Sequence, residues 1–66
     1  MAMLKVIEVL AESEQSWEAA AQSAVTTAAK TIRNIQSIYI KETEAKVVDG
    51  RITTYRINAK ITFVLD

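Results

Sequence analysis

Cysteine, histidine and proline are absent from the 66 residues, and glycine occurs once. Without cysteine or histidine the chain cannot form disulfides, build a zinc finger, attack with a thiol or move protons through an imidazole. An excess of either charge is missing too, because eight basic and eight acidic residues cancel to a formal net charge of zero. A nucleic-acid module of this size carries a basic excess or a basic face, whereas the Lys and Arg residues here are scattered singly. No apolar run approaches the roughly 20 residues of a membrane span. The opening Met-Ala-Met-Leu-Lys-Val-Ile-Glu is interrupted by Lys5 and Glu8, which argues against a signal peptide. The expectations are a cytoplasmic protein with no membrane and no nucleic-acid partner.

What is present is hydrophobicity. Half of the residues are apolar, far too many for a disordered chain. A chain of this length forms one domain, expected to span residues 1–66, and buries only about 60% of its unfolded surface. Small scaffolds of this kind need disulfides, a metal or oligomerisation. With the first two unsupported by the composition, oligomerisation is the expected constraint.

The apolar pattern changes period along the chain. Residues 3–10 are short and β-branched and read as a first strand. Ser13 is the expected helix N-cap, and Glu14 and Glu18 suit the positive end of a helix dipole. From Glu14 to about Ile32, Trp17, Ala20, Ala21, Ala24, Val25, Ala28 and Ile32 fall on one face of a 3.6-residue period. Lys30 and Arg33 are placed to complement the C-terminal end, with Asn34 as terminator.

After Ile35 the period becomes two. Strands are expected over residues 37–48 and 51–65, joined by Asp49-Gly50, a pair suited to a type I′ turn. In that register Glu44 opposes Tyr55, Arg56 opposes Thr43 and Ser37 neighbours Thr62. The fold class is α+β, with order β-α-β-β. The helix returns the chain so that the first and second strands run the same way. An all-antiparallel sheet therefore needs the third strand between them, in the order 1-3-2. The long strands outrun the helix, and uncovered edges of that length invite pairing with another subunit.

Several parts of this pattern carry a family resemblance. They are Lys5-Val6-Ile7-Glu8-Val9, Ser16-Trp17-Glu18-Ala19-Ala20, Lys30-Thr31-Ile32-Arg33-Asn34-Ile35, Asp49-Gly50-Arg51-Ile52 and Tyr55-Arg56-Ile57 followed by Ala59-Lys60-Ile61-Thr62-Phe63. In order and spacing they resemble the dodecin family over essentially the whole chain. The resemblance implies a sheet partly wrapped around one helix, no enzymatic activity, and a hollow homo-dodecamer that stores or sequesters a flavin such as FMN or riboflavin between subunits. It also points to two departures. The position of the flavin-stacking tryptophan is Ser37, and that of a flavin-bonding glutamine is Arg56. Weak flavin binding is expected, in a candidate inter-subunit pocket of Ser37, Lys41, Thr43 and Arg56. The alternatives are a flavin-free structural shell and a calcium-binding dodecamer, since Trp-less members have been associated with calcium.

Individual side chains have simpler readings as well. Trp17 reads as a core residue anchoring the first helical turn, and Tyr39 as part of an interface or shell lining. Arg56 suits either a ligand or an inter-subunit salt bridge to Glu42 or Glu44. Glu8, Glu42, Glu44, Asp49 and Asp66 would bind a cation only where symmetry gathers several copies, because calcium takes six to eight oxygens. With one glycine there is no phosphate loop around the lysines.

Overall fold

A computed structural model describes residues 2–65. Four elements follow one another: β1 (Met3–Ser13), α1 (Trp17–Ala28), β2 (Ile35–Val48) and β3 (Arg51–Leu65). The sheet is antiparallel throughout and ordered β1-β3-β2, as the connectivity requires. Asp49 and Gly50 have φ of 53° and 76°, the pair of positive values that a type I′ turn demands.

Four boundaries differ from expectation, one of them the start of β2, at Ile35 rather than residue 37. β1 runs to Ser13 rather than Leu10, because β3 is long enough to pair with it as far as Ser13 opposite Tyr55. The helix consequently starts at Trp17, and its N-cap is Ser16, whose hydroxyl accepts from the Ala19 amide at 2.9 Å. Ser13 instead accepts from the Gln15 amide at 3.0 Å, closing the short turn before the helix. At the other end regular helix stops at Ala28, although the amide of Ile32 still donates to the Ala28 carbonyl. Lys30 and Thr31 donate three residues back, the tightening common at helix ends. Lys30 and Arg33 therefore lie beyond the last helical turn. Asn34, with φ of 64°, does not cap the helix but swings the chain into β2, and its carbonyl accepts from Val64 at 3.1 Å.

The core lies where α1 crosses the middle of β3. Ala20, Ile57, Ala59 and Ile61 are fully excluded from solvent, and Val9, Ala11, Trp17, Ala21 and Ile38 pack around the Ala20, Ile57 and Ala59 cluster. Alanine at positions 20 and 21 lets the helix approach the sheet closely. The helix of 12 residues is about 18 Å long, while the molecule extends 51 Å. Most of the sheet's length is therefore uncovered by helix, and among the described residues nothing packs over its second face. Among the described residues, no helix is long and apolar enough to cross a membrane.

Candidate functional site

Side chains of a strand alternate between faces, and residues directly opposed on neighbouring strands share one. The face turned from the helix is built by Val6, Glu8, Leu10 and Glu12 of β1, by Arg56, Asn58, Lys60 and Thr62 of β3, and by their partners on β2. Ser37 faces Thr62 as expected, and Tyr39 is 63% exposed opposite Lys60.

The register then slips. Between Ile40 and Glu42 the strand β2 carries an extra residue, Lys41, and the shift reverses between Lys46 and Val47. A bulge of one residue exchanges the faces beyond it. Thr43 is consequently opposite Ile57 rather than Arg56, and Arg56 is opposite Glu44 rather than Thr43. Within one chain the four candidate residues do not converge. Ser37 sits across from Thr62, six residues along β3 from Arg56, a separation of about 20 Å at strand rise. Lys41 lies beside Glu8, with Nζ 3.9 Å from its carboxylate.

Arg56 is the best-connected polar side chain of this face. Its Nε and Nη2 both donate to Oε2 of Glu12, at 3.1 and 2.9 Å, and Nη1 donates to Oε1 of Glu44 at 3.3 Å. The hydrogen bonds that Arg56 donates to Glu12, then the charges of Glu12 and Glu44, push the guanidinium further above its already high pKa. Arg56 is thus cationic at any working pH. Arg56 and Glu44 form a salt bridge within one subunit. A first strand ending at Leu10 leaves Glu12 outside the sheet; the three further residues of β1 put it opposite Arg56.

Glu44 has a second task. Its backbone carbonyl accepts from the indole Nε1 of Trp17 at 3.0 Å, and the indole meets Tyr55 edge-on with centroids 4.9 Å apart. Trp17 is half-buried and fastens the start of the helix to β2 and β3. Next to this network an open hollow of about 280 Å³ is lined by Leu10, Glu42, Thr43, Glu44 and Asn58. Asn58 Oδ1 is buried there without a hydrogen-bond partner.

This topology matches known proteins along nearly the whole chain. The family model described as dodecin matches residues 3–66. The chain belongs to the dodecin family. It is 33% identical over 63 residues to the calcium dodecin of Mycobacterium tuberculosis, covering 96% of this chain and 89% of that one. The dodecin of Thermus thermophilus is 29% identical over 62 residues, or 94% of this chain and 90% of the relative. Among solved structures, the dodecin from Streptomyces coelicolor superposes with a TM-score of 0.93 at 25% identity, covering 98% and 93% of the two chains.

Within a single subunit of this dodecin the candidate residues do not fit a flavin. Ser37 offers no aromatic surface, the Arg56 fork is filled by Glu12, and the two are too far apart to touch one isoalloxazine. A calcium site is no better formed: among the described residues, no three carboxylates gather into a ligand set. Glu8 and Glu44 are paired with cations. Asp66, one of the carboxylates considered from the sequence, lies outside the described residues.

Proposed function

We propose that residues 1–66 form one domain of a non-enzymatic cytoplasmic shell, a hollow homo-dodecamer that binds and stores a small ligand between its subunits. The observation carrying this reading is the balance of exposed and buried apolar surface. Among the described residues four are fully buried, whereas Met3, Leu4, Val6 and Leu10 of β1 are each more than half exposed, as are Val47 and Ile52 near the hairpin tip. A monomer rarely leaves so much apolar surface open. The unpartnered Asn58 oxygen on the same side of the sheet as Leu10 supports it, since buried acceptors normally find a donor.

Family membership supports a flavin, riboflavin or FMN, as the ligand class. The candidate pocket is a pocket between copies, one subunit offering Ser37 and Lys41 and another offering the end that carries Thr43 and Arg56. Stacking on an aromatic side chain contributes roughly 1–3 kcal/mol per ring, and with serine at position 37 that term is missing, so affinity is weak. Calcium is the second reading, favoured by the similarity to the M. tuberculosis calcium dodecin, and it requires carboxylates from several copies around one ion.

Solution mass tests the assembly, and a monomer at micromolar concentration would overturn it. Equilibrium dialysis of the assembled protein against riboflavin then tests the ligand. Saturable uptake supports flavin storage, and none at high micromolar riboflavin moves the reading to calcium or to a purely structural shell.

A further inference from the structure

The apolar stripe that the helical period lays out is covered only at its start. Ala20 is fully buried, whereas Ala24, Ala28 and Ile32 further along the stripe are only half-buried. These three form one wall of an open hollow of about 370 Å³, and Ile7, Val9 and Ala11 of β1 form the other. Among the described residues its lining is uncharged. A dry cavity of about 150 Å³ already takes a benzene-sized group, so this hollow has room for two branched aliphatic side chains.

The hairpin has the converse lack. β1 pairs with β3 no further than Tyr55, so residues 46–48 and 51–54 form a ribbon of two strands only. From Tyr55 to Gly50 it projects about 17 Å at strand rise, and a two-stranded ribbon alone is marginally stable in water. Ala45 is opposite Tyr55, on the helix's side of the sheet, and Val47 shares that side with its partner Ile52. The helix starts beside Tyr55 and runs away from the ribbon, leaving Val47 and Ile52 60% and 53% exposed.

We infer that the hairpin tip of one subunit docks in the hollow between α1 and β1 of a second copy, with Val47 and Ile52 as the side chains received. The inference rests on the reading that the chain assembles. The ribbon extends past both α1 and β1, so it can enter a hollow, whereas Leu4 and Val6 lie on the flat open face of the sheet. Tip and hollow are different patches of one surface. Their contact is therefore heterologous, the kind that closes into rings.

A chain without cysteine makes the contact directly testable. Val47→Cys is combined in turn with Ser23→Cys, Thr27→Cys and Thr31→Cys, three exposed positions on the hollow's rim, and the assembled protein is mildly oxidised. Disulfides form only where Cα atoms come within about 7 Å. At least one pair should cross-link two subunits, and the same pairs built with Leu4→Cys in place of Val47→Cys should not. A second measurement needs no cross-link. Thr27→Arg obstructs the hollow, and Val47→Ser with Ile52→Ser strips the tip; each should raise the dissociation midpoint about tenfold or more. Their combination should add little, because both remove one contact. An assembled protein in which no pair cross-links, or Leu4→Cys pairs cross-link as well, would overturn the inference. So would full additivity of the two sets of substitutions. A monomeric wild type would instead defeat the assembly reading itself.

Discussion

Replacing Ile57 with alanine tests the central packing most directly. Ile57 has no exposed surface, and its buried neighbours are Ala20 and Ala59, with Val9, Ala11, Trp17, Ala21 and Ile38 around them. Ile→Ala in a core costs about 2–5 kcal/mol, depending on how far the site collapses. Here four of the seven neighbours are alanines, with no rotamers that could swing into the gap, and the sheet backbone beneath is held by partners on both sides. The expected loss is therefore in the upper part of that range, about 3–5 kcal/mol. Typical stabilities put a chain of 66 residues at about 3–10 kcal/mol, so this one change should remove much of the total. Ile57→Val, which keeps most of the volume, should cost only about 0.5–1.5 kcal/mol. Urea titration followed by circular dichroism gives both values, and it should be run at two protein concentrations because assembly adds a concentration-dependent term. A loss below about 1 kcal/mol for Ile57→Ala would refute the reasoning, since the known floor for such a cavity is about twice that.

Two further outcomes can be read from the same titration. Ser16→Ala should cost about 1 kcal/mol by leaving the Ala19 amide without its cap, and Ser13→Ala should cost clearly less; the reverse order would restore Ser13 as the cap. At Gly50 an added Cβ would meet nothing within 4 Å, so the cost of Gly50→Ala is purely that of a positive φ, about 1–2 kcal/mol. Gly50→Asn should fall between the two, because asparagine tolerates the left-handed region, and an Asn variant weaker than Ala would contradict the turn geometry.

The candidate site divides at Lys41. From Ser37 to Ile40 the pairing agrees with a count from the turn, because the slips at Lys46/Val47 and Ile40/Glu42 cancel, and Ser37 opposite Thr62, Ile38 opposite Ile61 and Ile40 opposite Ala59 were all readable from the sequence. Between the two slips, from Glu42 to Lys46, the pairing is offset by one residue, which turns Thr43 to the side of Ile57 and brings Glu44 opposite Arg56. Nothing in Ile-Lys-Glu-Thr announces a bulge, because a bulge answers the bending of the whole sheet around the helix rather than any local preference. Similarly, Ser13 and Ser16 are equally good caps in isolation, and the choice between them depended on how far β3 could hold β1 in the sheet.

The sequence by itself determined the element types, the Asp49-Gly50 turn, the alanine stripe of the helix and the strand order, since periodicity, turn chemistry and chain connectivity are local or combinatorial constraints. The tertiary structure alone decided the length of β1, the Lys41 bulge and the joining of Glu12 and Glu44 on one guanidinium. Those depend on which strands curve against a common helix, and side chains 44 and 12 residues apart meet only after that curvature has set the register.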